Sequence, residues 1–417
     1  MSEKPNVISS INKYQEIKKR LESKFNEQLR KRMFIIQKKV VDGSSPPSVF
    51  VGQEGYPKVR VGPMIPAQHG NTAIMDLPEK WKGLSLEEIA NYRFSLIRGI
   101  STIKIENVTG KYIETLQEMV MSKRAIESEM QFDDLIIENQ KNFHGGLNME
   151  HSPFGPSAYI KSFTIANPSI DKRIENMFYE KDIISTDAIM NLYKNNIEIS
   201  RISKVFSLGM LGKNKNRKLV PTRWSISAID DIISKNLLRI ISSLPSVDTI
   251  CAFKYNHLAN YYSIILLPSD RWEFEMIESW HDQDKTKNNN NPFNSHLNYV
   301  IVSDYENEKK IVHSPKIAGA FFAARLAITE YFSKMKRKAA VLIFREIHPD
   351  YLMPLGVWQI REGIRAALKE NKKEFENFKD ASMYALEDML VPKESWIKTS
   401  KIYDLFKNQT RITEFLG

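Results

Sequence analysis

The chain has 417 residues, 42% hydrophobic and 26% charged, with a formal charge of +10; this is the balance of a soluble globular protein with room for one large domain or two ordinary ones. No stretch approaches the roughly 20 apolar residues that span a bilayer, and the start Met1-Ser2-Glu3-Lys4 has no apolar leader, so a cytoplasmic protein with no membrane partner is expected. The single cysteine, Cys251, excludes a disulfide framework and a cysteine-rich zinc finger.

The charge is unevenly placed. Residues 1–40 hold eleven Lys/Arg against four Glu, which points to a basic arm that meets a polyanion, or else to a solvated helix face. Ile11, Tyr14, Ile17, Leu21, Phe25, Leu29 and Phe34 recur mostly at three- and four-residue steps, so 9–41 reads as one helix with an apolar stripe and a basic face. Gly43-Ser44-Ser45-Pro46-Pro47 ends it. Two short strands are expected around Gly55-Tyr56-Pro57, within 48–63, then helices over 86–99 and 110–128. A polar stretch rich in turn residues covers 141–157, a length of loop that is usually functional or mobile. Short helices at 171–179 and 185–195 lead to a glycine-containing basic loop, and a helix follows over 225–242 with Ser225 or Ser227 as its N-cap. Residues 248–256, 260–268 and 271–280 read as three consecutive strands of an antiparallel meander. An asparagine-rich loop at 285–291 precedes a strand over 298–303, a helix over 315–334, an apolar strand over 339–347 and a helix over 355–371. After residue 390 the pattern fades into a tail. Helices and strands mix without strict βαβ alternation, so the predicted class is α+β, with a largely antiparallel sheet in a two-lobed body. The expected organisation is a basic helical arm over 1–42, lobes over 43–270 and 271–390, and a tail over 391–417.

That tail closes on Gln409-Thr410-Arg411-Ile412-Thr413-Glu414-Phe415-Leu416-Gly417. In a 3-10 turn, residues three apart eclipse. Ile412, Phe415 and Leu416 then form one apolar plug, with Gln409 beside it as a polar latch, and such a plug suits a hydrophobic pocket on a partner. The pattern resembles the docking motif by which many proteins bind the sliding clamp PCNA. The other reading is a terminal helix packed on its own domain.

The loop from Gly209 to Ser225 carries five cations, Lys213, Lys215, Arg217, Lys218 and Arg223, into a helix start. Backbone amides and the helix dipole favour a phosphate there, and Arg217 and Arg223 can clamp one in bidentate fashion. The spacing is not that of a Walker A loop. The alternative is an exposed basic hairpin with Trp224 in the core.

Carboxylates and histidines are scattered. Asp230 and Asp231 lie on the helix after the loop. Glu273 and Glu275 share one face of a strand, which suits either Mg²⁺ binding for phosphodiester cleavage or the solvent side of a sheet. His281, Asp282 and Asp284 follow. Glu346, His348 and Asp350 end an apolar strand, where α/β proteins often place chemistry, although His348-Pro349 equally suits a turn. No HxxxH zinc signature, Ser/His/Asp constellation or GxGxxG loop stands out, so no metal site and no catalytic residue is assigned, and the cofactor is left open.

At Phe50-Val51-Gly52, Gly55-Tyr56-Pro57 and Gly62-Pro63 the sequence begins to resemble the archaeal Nre family of DNA repair proteins. The likeness continues at Phe154-Gly155-Pro156-Ser157. It is densest at Ser207-Leu208-Gly209, Leu211-Gly212 and Arg217 to Ser225, with Ala228, Asp230 and Asp231, and extends to Gly356-Val357-Trp358 with Arg361-Glu362. It covers about residues 48–372. The resemblance implies a role in the repair of damaged DNA and binding to PCNA through a C-terminal motif, matched here by Gln409, Ile412, Phe415 and Leu416. Some family members carry an N-terminal cysteine zinc finger; this chain has a basic helix in that place. The resemblance carries over no catalytic residue.

The expected function is therefore a DNA repair factor recruited by the clamp, with PCNA, DNA and other repair proteins as partners. The alternative is a metal- or cofactor-dependent enzyme that cuts or modifies DNA. A basic arm also suits RNA or a ribosome, but the clamp motif opposes that reading.

Overall fold

The computed structural model describes residues 34–138, 155–281, 299–348, 350–351, 353–370 and 372–407, with isolated positions between Lys19 and Lys31. It contains two compact units, Met1–Ile233 with Leu352–Gly356, and Ser234–Tyr351 with Val357–Gly417. The class is α+β, with helices around two mixed sheets of six strands each. Among the described residues, no helix is long and apolar enough to cross a membrane.

In the first unit, described residues 34–37 are helical, but the chain turns at Lys38-Lys39 and strand β1 (Val40–Ser45) begins. The predicted arm helix therefore stops short of residue 41, because Val40–Ser45 pairs antiparallel with Ile126–Gln131. Most of the arm lies outside the described residues. Strands β2 (Val49–Val51) and β3 (Lys58–Pro66) form the predicted hairpin around Gly55-Tyr56-Pro57, in which the Tyr56–Pro57 bond is cis. Helix α1 (Leu86–Ser95) starts in a capping box between Ser85 and Glu88. It ends at Ser95, not near residue 99, because Leu96–Lys104 is strand β4, paired with β3. Its Ile97, Ile100 and Ile103 are β-branched, and the close approach of Gly62 to Gly99 demands glycine: a Cβ on Gly62 would meet the Gly99 carbonyl oxygen at 1.9 Å. Helix α2 (Lys111–Met121) likewise yields to strand β5 (Ile126–Glu138), which pairs with β6 (Ser157–Ala166). The sheet order is β1-β5-β6-β4-β3-β2, with β4 and β6 parallel. Val41, Ile65, Ile97, Met130, Phe132 and Ala158 form a core on one face. Helices α3 (Lys172–Tyr179) and α4 (Ser185–Lys194) follow at their predicted positions; α5 (Ile199–Ser207) is a helix that the sequence reading does not offer, and α6 (Thr222–Ile241), whose residues from Ser234 belong to the second unit, begins before the expected caps Ser225 and Ser227.

The second unit holds strands β7 (Ile250–His257), β8 (Asn260–Leu267), β9 (Glu273–His281) and β10 (Tyr299–Asn307), helix α7 (Gly319–Met335), strand β11 (Ala340–Ile347), helix α8 (Trp358–Ala367) and strand β12 (Lys373–Phe375). Its order is β10-β9-β11-β8-β7-β12. The predicted meander is thus corrected. β7 and β8 form a hairpin, but β11 inserts between β8 and β9, antiparallel to one and parallel to the other. The reason is burial: Ala340 to Phe344 are all apolar and buried, and a strand without a polar face belongs at the centre of a sheet.

The segment expected to be tail is also corrected in its first part. Helices α9 (Phe378–Ala385), α10 (Lys393–Thr399) and α11 (Lys401–Phe406) belong to the body. Trp396 and Ile402 are fully buried in a core shared with Leu342 and Phe344, and the Trp396 ring stands edge-on to Phe344 at 5.5 Å. Residues 408–417 lie outside the described residues.

Candidate functional site

The basic loop is built around its glycines and Arg217. Gly209 has φ +66, and a Cβ there would meet the Lys218 carbonyl oxygen at 2.7 Å, so only glycine turns the chain there without strain. Arg217 is buried. Its Nε donates to the Gly212 carbonyl (2.8 Å), Nη1 to Phe178 (2.8 Å) and Nη2 to Glu180 (3.0 Å), while the guanidinium lies 5.4 Å from the centre of the Phe178 ring. It thereby satisfies carbonyls at the C-terminal end of α3, where a cation also suits the helix dipole. Burial lowers the pKa of this guanidinium.

Lys213, Lys215, Lys218 and Arg223 are exposed around this fixed point. The five predicted cations thus divide: Arg217 holds the loop together, and the other four face solvent. Most loop amides serve the fold. Met210 donates to Val205, Asn214 to Lys181, Leu219 to Ile105 and Val220 to Ser207. A phosphate at this loop would meet side chains rather than a glycine cradle.

Trp224 does not take the core position that the alternative reading gives it. It is 47% exposed on the first turn of α6, with its ring centre 5.4 Å from that of Tyr56, itself 51% exposed. Sequence reasoning passed over Tyr56, Lys58 and Lys104. The available signal was an aromatic in a turn, Gly55-Tyr56-Pro57, followed by a lysine.

The carboxylate candidates do not come together. Asp230 is buried on α6 and Asp231 partly so. Glu275 neither faces solvent nor shares an open site with Glu273. It is fully buried and accepts hydrogen bonds from Ser303 Oγ (2.7 Å), Ser400 Oγ (2.8 Å), Lys401 N (2.9 Å) and Ile402 N (2.8 Å). Glu273 accepts from the Tyr305 hydroxyl. Glu346 is buried, with His281 Nε2 at 3.0 Å and His348 Nε2 at 3.1 Å from its Oε1, and it accepts from the amides of Leu390 and Val391. Burial pushes the Glu346 carboxyl up, but His281 and His348 together hold it down to about 2. His348 stacks on Tyr261 at 4.0 Å. Asp282 and Asp284 lie outside the described residues.

Among the described residues, Asp42, His69 and Glu127 also bring ligand atoms together, all of them exposed. His69 Nδ1 lies 2.6 Å from Glu127 and Nε2 lies 3.6 Å from Asp42. Each imidazole nitrogen faces a different carboxylate, so the group is a surface ion-pair chain. The clamp-motif positions Gln409, Ile412, Phe415 and Leu416 lie outside the described residues.

Fold and loop define an α+β protein with two mixed sheets and a basic loop locked by a buried arginine. The family model described as "Archaeal Nre, N-terminal" matches residues 17–285, and "Archaeal Nre, C-terminal" matches residues 305–415. The chain belongs to the archaeal Nre family. It is 32% identical to DNA repair protein NreB of Archaeoglobus fulgidus, over 90% of this chain and 91% of that protein. It is 33% identical to DNA repair protein NreA of the same organism, over 92% and 91%. It is 30% identical to DNA repair protein NreA of Haloferax volcanii, over 81% and 80%. No solved structure matches the chain.

Proposed function

We propose that this chain is a DNA repair factor brought to DNA by the sliding clamp PCNA, and that it holds DNA through its basic surface. The observation that carries the repair role is the likeness, over 90% and 92% of the chain, to proteins named for DNA repair. Clamp recruitment is supported by the side-chain order at Gln409, Ile412, Phe415 and Leu416. The motif begins two residues beyond Lys407, just after a helix that is fixed to the second unit's sheet. Residues 408–417 reach at most about 35 Å fully extended, so a clamp holding the motif would keep the body near the encircled DNA and raise its local concentration there. DNA contact is supported by exposed Lys213, Lys215, Lys218 and Arg223, and such contacts weaken steeply with salt. Phe415→Ala should abolish capture by immobilised PCNA while leaving the circular dichroism spectrum unchanged. Undiminished capture would sink the clamp assignment.

A further inference from the structure

Tyr56 and Trp224 are two large aromatic side chains, each about half exposed and set against one another at 5.4 Å with their planes 48° apart. Two large aromatics left exposed side by side make an apolar patch of the kind that marks an interaction surface. The pair is held from beneath. Val51 N donates to Thr222 Oγ1 (2.9 Å), tying the strand before the Tyr56 turn to the start of the helix that carries Trp224. Gly52 N donates to the Arg60 carbonyl (2.7 Å) and Lys58 N to the Gly55 carbonyl (2.9 Å), closing the turn itself. Trp224 N donates to the Pro221 carbonyl (2.9 Å).

Cations lie on the strands and loop next to this pair. Lys58 stands opposite Lys104 in the β3–β4 register, so both leave the same face of the sheet. Ile105 N donates to the Pro57 carbonyl, and Leu219 N to the Ile105 carbonyl. Those two bonds lay the Lys218 stretch beside Lys104 and the Tyr56 turn. Arg223 directly precedes Trp224. Lys58, Lys104, Lys218 and Arg223 are all exposed. On these stretches of chain the acids are Glu54, which lies 3.5 Å from Arg60, and Glu106. Positive charge therefore dominates around two exposed rings.

We infer that Tyr56 and Trp224 form a stacking platform for the bases of single-stranded DNA, with Lys58, Lys104, Lys218 and Arg223 holding its phosphates. This rests on the DNA-binding reading above and narrows it. A ring platform needs the face of an unpaired base, which a duplex hides within its stack. Lysines alone would serve either form of DNA; the aromatic pair selects the single strand.

The test uses the full chain, fluorescein-labelled oligo-dT of about 20 nucleotides, a length that exceeds one binding site, and a duplex of equal length. Fluorescence anisotropy is read across a salt series. Trp224→Ala and Tyr56→Ala should each weaken oligo-dT binding roughly 10-fold or more, and Trp224→Phe should largely restore it. Duplex binding should change little. Lys218→Ala should lower the slope of log affinity against log salt by about 0.7 on oligo-dT. If the wild type binds oligo-dT and Trp224→Ala binds it equally well, the platform is wrong and DNA binding stands. A wild type that binds neither DNA overturns the DNA-binding reading itself. Equal losses on duplex and oligo-dT overturn the single-strand assignment.

Discussion

Replacing Glu275 with alanine removes the group that fastens the C-terminal helices to the second unit's sheet. The side chain is fully buried, and its two oxygens take four hydrogen bonds: from Ser303 Oγ, Ser400 Oγ, and the amides of Lys401 and Ile402. Two of these donors are first-turn amides of α11, which have no partner within the helix. Alanine would leave four donors without this acceptor, those of Ser400 and Ile402 buried and those of Ser303 and Lys401 part-buried, at about 1 kcal/mol each, so the expected loss is about 4 kcal/mol. Glu275→Gln keeps the shape but turns an NH₂ toward donors, and it should fall between the two. Urea unfolding followed by tryptophan fluorescence gives the stability change, since Trp396 sits fully buried on Phe344. Limited proteolysis reads the C-terminal segment directly. Clamp binding through Phe415 should persist, because that motif lies beyond the cap. A Glu275→Ala protein within about 1 kcal/mol of wild type, with an equally protease-resistant C-terminal segment, would refute this account of the carboxylate.

Two other predictions separate holding from contacting. Arg217→Ala should cost roughly 3 kcal/mol, since it orphans the carbonyls of Gly212, Phe178 and Glu180; Lys213→Ala should leave the urea midpoint unchanged and weaken only salt-sensitive DNA binding. For Glu346, the folded carboxyl is held near 2 against an ordinary 4.5, so its stabilising contribution is complete above about pH 4.5 and is lost as pH falls toward 2. Glu346→Gln should flatten the acid limb of the stability profile by about 3 kcal/mol, measured by urea unfolding from pH 7 to pH 2.5.

The sequence makes local features legible and hides those settled by distant partners. The hairpin around Gly55-Tyr56-Pro57 is readable because turn residues sit between apolar strand residues, and β2 and β3 form as expected. Helices over 86–99 and 110–128 are read too long because Leu96–Lys104 and Ile126–Glu138 have neighbouring strands to pair with, and sheet pairing overrides helical periodicity. The meander fails for a related reason. A purely apolar strand announces that it is buried, but not between which neighbours it lies. One reading of the sequence puts Trp224 in the core, since tryptophan is usually well buried, and its exposure beside Tyr56 shows otherwise.

Paired acids mislead in a more instructive way. Glu275 and Glu346 invite a chemical reading, because a strand that exposes carboxylates can hold a metal or move a proton. In the fold, both instead receive the same stretch of chain. Glu346 accepts from the amides of Leu390 and Val391, and Glu275 from those of Lys401 and Ile402. Two buried carboxylates on β9 and β11 thereby pin the first part of the segment that reads as tail, at Leu390–Val391 and at Lys401–Ile402. A peptide expected to dock on a partner thus begins within a few residues of a rigid anchor. A docking motif on a short tether gains effective concentration when its geometry fits the span, and loses it when the tether cannot reach. Lengthening the chain between Lys407 and Gln409 with glycine and serine is therefore expected to leave PCNA capture intact and to lower the benefit that PCNA gives to DNA binding.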